Sequence, residues 1–205
     1  IGVWSGNSNT LFLNNATVGN APNGSCIGTQ CPVFNESNPK LGKSALTFDG
    51  VNDKVNVTNS SSLTITGDIT IEAWIKTPKI GGMIVNKGTS NGAQSTYNFD
   101  VTSGGVLRYW NADGTSLITG NTAVNDNNWR HVAIAFNPST DVARLFVDGV
   151  LDVSGTVTNT PYASPCPVLI VAREDAVAGS CGTLVTSAFF NGTLDDLAIW
   201  NTSLS

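Results

Sequence analysis

The sequence predicts an all-β chain, an antiparallel two-sheet β-sandwich of jelly-roll type. Three observations carry this reading. Val132, Ile134 and Phe136 fall on one face of their segment, with His131, Ala133 and Ala135 on the other, and a period of two is the mark of a half-buried strand. Asp148-Gly149 stands between Val147 and Val150, where a two-residue type I′ hairpin turn favours such a pair because both central positions need positive φ. No segment sustains an apolar helical period beyond a turn, and short strands separated by turn residues recur along the chain, as sandwiches and jelly rolls require.

Residues 1–40 are rich in turn formers, among them Asn7, Asn9, Asn20, Pro22, Asn23, Gly24, Pro32 and Pro39. Leu11-Phe12-Leu13 is a candidate short strand. The segment keeps apolar groups at Ile1, Val3, Trp4, Leu11, Phe12 and Leu13, and such a set does not stay wholly exposed in a soluble monomer. It is expected either as the first strand of its own sandwich or as an arm docked on a neighbour's sheet edge. Residues 41–205 form the domain proper. Leu46-Thr47-Phe48 runs into Asp49-Gly50, and Lys54 to Val57 alternates. Ile69, Ile71, Ala73 and Ile75 line one face, with Thr70, Glu72, Trp74 and Lys76 opposite. Met83–Val85, Tyr97–Val101 and Val106–Trp110 follow, the last before an Asn111-Ala112-Asp113-Gly114 turn. Val168–Val171 and Leu194–Trp200 complete the set.

The 205 residues suit one large β domain. A hydrophobic content of 40% with regular alternation supports a core and excludes disorder. The net charge is −5 with no basic patch, which argues against nucleic acid. No apolar run approaches the roughly 18 residues of a membrane helix. No signal-peptide pattern and no initiator Met are present, so a mature or excised segment is expected.

Four cysteines allow three pairings. Cys26–Cys31 and Cys166–Cys181 each close a short loop and are expected to pair, in an oxidising compartment; a zinc site is disfavoured by one His and no Cys-x2-Cys. Seven Asn-x-Ser/Thr sequons, at Asn15, Asn23, Asn35, Asn56, Asn59, Asn191 and Asn201, permit glycosylation. A chain with 23 Asn and so many Ser and Thr carries several by chance, so they do not establish it.

The segments Trp129-Arg130-His131-Val132-Ala133 and Leu145-Phe146-Val147-Asp148-Gly149 resemble the centre of laminin-G-like, concanavalin A-type jelly rolls. Leu41 to Asp53, with Gly-Lys-Ser-Ala-Leu-Thr-Phe-Asp-Gly-Val-Asn-Asp, resembles the opening of that family. Ile69 to Ile75 is similar to its F-T-I-E-A-W-V strand, and Gly192 to Asn201 to its ending. The resemblance covers residues 41–205 in the family's order. Lys54 stands where the family has an aromatic, and residues 1–40 match poorly. The resemblance implies extracellular binding of sugars or proteins.

Glucanases on this fold place paired carboxylates on one strand. Glu36, Glu72 and Glu174 are the only glutamates and none stands in that pattern, though Asp68 and Glu72 share a strand face. His131 has no nucleophile companion for a hydrolytic triad and reads as structural. Calcium is the cofactor expected, because hard cations take carboxylate and amide oxygens. Asp49, Asn52 and Asp53 supply a tight loop, and Asp195 and Asp196 lie near the end of the chain. In the resembled fold the first and last strands are neighbours, so these five are expected to form one structural site; the alternative is ordinary turn chemistry. Trp74, Trp129 and Trp200 are expected in the core. Trp110 and Arg108 share the face opposite Leu107 and Tyr109, and with Tyr97 are the candidate sugar contacts; Trp4 and Tyr162 are further aromatics of this kind.

Three functions compete: an extracellular non-enzymatic module binding glycans or proteins; a glycosylated structural subunit of a surface or virion-like assembly, self-assembling through residues 1–40; and, least favoured, a glycoside hydrolase. No catalytic residue is assigned.

Overall fold

The structure, a computed structural model, describes residues 4–8, 11–14, 23–89, 94–112, 114–175, 181, 183–184 and 188–204, with the strands at 4–8, 11–14, 174–175 and 183–184 described by backbone alone. Among the described residues there are eighteen strands: β1 Trp4–Ser8, β2 Leu11–Asn14, β3 Gly24–Ser25, β4 Val33–Asn35, β5 Ala45–Asp49, β6 Val55–Val57, β7 Ile69–Lys76, β8 Gly82–Thr89, β9 Gln94–Val101, β10 Val106–Ala112, β11 Leu117–Ala123, β12 Arg130–Asn137, β13 Val142–Val147, β14 Val150–Thr156, β15 Val168–Ile170, β16 Glu174–Asp175, β17 Thr183–Leu184 and β18 Asn191–Trp200. The one helical turn among the described residues is Gly28–Gln30. The larger sheet runs β1-β2-β3-β6-β15-β8-β9-β10-β11, with β16 and β17 attached beside β8; the smaller runs β14-β13-β12-β7-β18-β5-β4. Except for the single β16–β8 contact, all pairing is antiparallel. This is the predicted two-sheet sandwich.

Alternation explains the core. Ile69, Ile71, Ala73 and Ile75 of β7 are buried between the sheets, as are Val132, Ile134 and Phe136 of β12. From the larger sheet Tyr97, Phe99, Leu107 and Tyr109 meet them in one continuous cluster. Each pair of strands buries one face because successive side chains point to opposite sides of the pleat. The Asp148-Gly149 hairpin closes with φ of 52° and 77°, as the I′ turn demands. The Asp148 side chain completes it by accepting from the His131 amide at 2.9 Å.

The described strands within residues 1–40 belong to this chain's own sheets. β1 pairs with β2, β2 with β3, and β3 with β6, while β4 forms an edge of the smaller sheet beside β5. The boundary expected at residue 41 is therefore not a structural division, because strands from both sides of it share sheets. Both disulfides join as expected, with Cα–Cα separations of 5.1 Å for Cys26–Cys31 and 5.2 Å for Cys166–Cys181. No helix among the described residues is long and apolar enough to cross a membrane.

Candidate functional site

The outward face of the larger sheet holds the most developed polar site. β9 and β10 are joined by the turn at 102–105, and their register sets Asp100 opposite Arg108 and Asn98 opposite Trp110. Because Tyr97, Phe99, Leu107 and Tyr109 face the core, alternation sends Asn98, Asp100, Arg108 and Trp110 to the other side. Cross-strand neighbours on one face lie close enough to bond directly. Arg108 Nε donates to Asp100 Oδ1 at 3.0 Å, and Nη2 donates to Oδ2 at 2.5 Å. Asp100 is 5% exposed. Burial pushes its carboxyl above the ordinary range, against the pull of Arg108 and then Arg173. The bond to Asp100 in turn raises the Arg108 guanidinium. A fork-to-fork pair in which both oxygens accept is a carboxylate held by a guanidinium.

Farther along this face Asn86 Nδ2 donates to Asn98 Oδ1 at 2.5 Å. The sheet is roofed here by residues 171–173 and 188–190. Leu169, Ala172 and Phe189 make a separate apolar cluster, the Met83 amide donates to Ala188 O at 2.9 Å, and the Phe190 amide donates to Val171 O at 3.2 Å. A Cβ on Gly82 would lie 2.7 Å from the Phe190 Cα, so only glycine admits the roof at that point. Where the roof meets the β9–β10 turn it leaves a pocket of about 250 Å³, lined by Gly81, Met83, Asp100, Ser103, Arg108 and Arg173 among others.

Of the expected sugar contacts, Arg108 lines this pocket. The other two are corrected. Tyr97 is fully buried in the core with its hydroxyl donating to Leu63 O at 3.0 Å. Trp110 faces away from the core as expected but is 5% exposed, with Gly114 folded against its ring, so neither offers an open stacking face. Tyr162 is exposed; the Trp4 side chain lies outside the described set. Asp100 and Arg173 were missed. The first was legible, because the two strands and their turn already set the register of the hairpin. Arg173 was not, since its segment has no periodic signal.

The smaller sheet's outward face carries a second cluster. Trp74 and Trp200, expected in the core, are half-buried here. Trp200 Nε1 donates to Glu72 Oε1 at 2.9 Å, and His131 Nε2 lies 3.4 Å from Glu72 Oε2. His131 meets Trp74 edge-on at 5.2 Å, and Lys40 Nζ sits 4.2 Å above the Trp74 ring. The bond from His131, followed by that from Trp200, holds the Glu72 carboxyl below its ordinary value against the effect of burial. Asp196, at a bulge with φ of 48°, is shifted upward by burial and by its neighbours Asp195 and Glu72. Asp68 does not join Glu72: it accepts from Asn137 Nδ2 at 3.4 Å.

The five residues of the expected calcium site do not fit one ion. β18 pairs with β5 so that Asn191 opposes Asp49, which sets Asp195 four residues, or about 13 Å, along the strand. Asp195 Oδ2 instead accepts from the Lys40 and Leu41 amides, both at 2.8 Å. Asp49 Oδ1 accepts from the Val51 amide at 2.7 Å, and Asp53 Oδ2 accepts from the Asp49 amide at 2.8 Å, as turn residues do. Asn52 Oδ1 is buried without a hydrogen-bond partner. Among the described residues no three His, Cys, Asp or Glu are grouped to hold a metal.

The sequons sort by environment. Asn23, Asn59 and Asn201 are exposed, whereas Asn35, Asn56 and Asn191 are half-buried in strands. Asn191 Nδ2 donates to Asp49 O at 2.6 Å. Asn59 Oδ1 accepts at 2.6 Å from Lys87, a fully buried lysine whose ammonium is pushed down to about 8 by desolvation. Asn15 lies outside the described residues.

The fold has relatives. The rat protein "Sushi, von Willebrand factor type A, EGF and pentraxin domain-containing protein 1" (Rattus norvegicus) is 29% identical over 140 residues, which are 67% of this chain and 4% of that protein. This chain thus spans a small fraction of that relative's length. Domains LG4-5 of the mouse laminin α1 chain superpose with a TM-score of 0.58 at 15% identity, covering 88% of this chain and 47% of theirs. The Ruminococcus gnavus IT-sialidase CBM40, solved bound to α2,3-sialyllactose, gives 0.54 at 17% identity over 71% of this chain and 81% of its own. A laminin G-type model described as the concanavalin A-like lectin/glucanases superfamily matches residues 49–205, and this chain belongs to that family.

Proposed function

We propose that this chain is a non-enzymatic recognition module of a secreted or cell-surface protein, and that it holds glycans in the pocket of Asp100, Arg108 and Arg173. The observation that carries the reading is the buried Asp100 carboxylate, doubly bonded by the half-buried Arg108, in a pocket. Such a pair keeps a guanidinium in a fixed orientation, and sugar sites need a few fixed polar groups in a concave setting. The binding of sialyllactose by the R. gnavus module supports a glycan over a protein ligand. Two disulfides fit an oxidising compartment.

A hydrolase is disfavoured by the state of Glu72. Both its oxygens face a partner, Trp200 on one side and His131 on the other, which leaves neither poised to attack a sugar. An assembly built on residues 1–40 is disfavoured because β1 and β2 extend this chain's own sheet. Calcium, where present, would draw on the 49–53 loop alone, with Asn52 Oδ1 as an open acceptor; equal melting temperatures in calcium and in chelator would reject it.

A glycan array probed with the intact chain and with Arg108→Ala tests the module. Binding by the first and its loss in the second, with the fold unchanged by circular dichroism, is expected. Equal binding by both would remove the pocket from the reading, and an empty array with retained binding to an extracellular protein would replace glycan by protein.

A further inference from the structure

We infer that Asn59 is the site of an N-linked glycan that the folded domain keeps, and that Asn191, in an equally complete sequon, does not carry one. The inference needs only the secreted or cell-surface setting proposed above and is independent of what the pocket binds. Asn59-Ser60-Ser61 and Asn191-Gly192-Thr193 both satisfy the acceptor motif, so their surroundings must separate them. Asn59 is exposed in the loop after β6, and its side chain is held by one end. Lys87 Nζ donates to Asn59 Oδ1 at 2.6 Å and to Cys166 O at 2.7 Å. Thr64 Oγ1 donates to the same Oδ1 at 3.2 Å. Chemistry fixes which end of the amide faces the lysine. An ammonium only donates, and Lys87, pushed down to about 8 by desolvation, is still mainly charged at pH 7. The carbonyl oxygen therefore points at Lys87, and the planar amide turns Nδ2 away from it. Glycosylation uses Nδ2: transfer from a lipid diphosphate-linked oligosaccharide forms the bond from Nδ2 to the sugar C1, breaks the C1–O bond to the diphosphate and releases one Nδ2 proton. Oδ1 is untouched, so Lys87 keeps its acceptor in the modified protein.

Asn191 presents the reverse arrangement. Its Nδ2 is the bonded end, donating to Asp49 O at 2.6 Å, where β18 pairs with β5. There is no room beside it: a Cβ on Gly50 would lie 2.6 Å from Asn191 Cβ and 2.9 Å from Nδ2. An N-linked glycan is a bulky surface group. Where transfer precedes folding, the fold decides which glycan a secreted molecule can keep. A sugar on Asn191 would have to push the 49–50 segment off β18, whereas one on Asn59 leads from an exposed loop into solvent. The glycan also starts away from the pocket. Lys87 stands four residues, or about 13 Å, along β8 from Met83 of the pocket lining.

The test is expression of the intact chain through a eukaryotic secretory host, beside a control glycoprotein that reports the host's transferase. The folded, secreted fraction is deglycosylated by an amidase in heavy-oxygen water, which converts each occupied Asn to labelled Asp, and its peptides are read by mass spectrometry. The expected result is label at Asn59 in most molecules and none at Asn191. Ser61→Ala removes the first sequon while leaving Asn59 and its Lys87 contact in place. It should lose one glycan from the gel mobility, with the thermal midpoint of the deglycosylated protein unchanged. Asn59 left bare while the control is glycosylated would overturn the site and leave the secreted setting standing, because the host routes the chain whatever its natural destination. An unchanged glycan count in Ser61→Ala would overturn it too. Label at Asn191 in the folded fraction would overturn the exclusion drawn from its packing.

Discussion

The two outward faces of the sandwich are written in the same alternating code and end in different environments. On the larger sheet Asn86, Asn98, Asp100 and Trp110 are each 5% exposed or less. On the smaller sheet Glu72, Trp74, His131 and Trp200 remain half-exposed. The polar residues are of similar kind, so residue type does not set the difference. A roof of chain sets it: residues 171–173 and 188–190 close over the larger sheet, and Tyr162 and Ser164 close over its far end through Thr96. Water is kept from Asn86, Asn98, Asp100 and Trp110, while Arg108 stays half-buried at the pocket. An ion pair beneath the roof loses more when broken than one in water, because the surviving partner is left desolvated.

The largest effect expected from this contrast is therefore Asp100→Ala, which leaves Arg108 without its carboxylate and should cost about 3 kcal/mol, the low end for a buried pair because 32% of the Arg108 side chain stays in water. The same replacement at Glu72, in the open cluster, should cost about 1 kcal/mol or less. Urea midpoints of the two variants check the contrast directly, and equal losses would mean the roof does not change the local dielectric. Next comes the tether. Replacing Cys166 and Cys181 by Ser frees a 15-residue separation and should cost about 3 kcal/mol on the chain-entropy estimate, against about 2 kcal/mol for Cys26 and Cys31, which are 5 apart. Hydrogen exchange should also speed at Asn86, Asn98 and Asp100 only in the first variant. If the second variant opens the larger face as well, the roof is not what protects it.

Smaller effects belong to the open face. Trp200→Phe removes the N–H donated to Glu72 and should cost about 1 kcal/mol, readable as a fall in thermal midpoint. The pH dependence should follow Glu72. Its folded carboxyl lies below the unfolded one, held there first by His131 and then by Trp200. Its contribution is thus complete above the ordinary glutamate range and is lost as pH falls through the folded value. Stability measured from pH 6 down to 3 should fall less steeply in Glu72→Gln than in the parent. Identical slopes would show that the His131–Glu72 contact carries no net interaction.

Much of this was written locally. Strand residues at β5, β7, β9, β10, β12, β13 and β18 were legible because each strand buries one face, so its sequence alternates. The Asp148-Gly149 turn was legible because few residue pairs accept positive φ twice. The disulfides followed from short loop closure. By contrast β11, Leu117–Ala123, passed unseen: it lies at the sheet edge, where Leu117, Thr119 and Asn121 face solvent and only Ile118 and Gly120 are buried, so the apolar half of the pattern is thin.

What the sequence determined by itself is which side of each strand meets the core, since that is a property of neighbours two residues apart. What only the tertiary structure decided is the fate of the other side. Trp110 and Trp74 both face outward, yet the first is 5% exposed, with Gly114 folded against its ring, and the second is half-buried. The joined calcium site failed for a related reason: strand register between β5 and β18 is set by the whole sheet, and it places Asp195 and Asp196 away from Asp49. The pocket, too, exists only where a turn at 102–105 meets Arg173 from 65 or more residues onward, a meeting that no local period encodes.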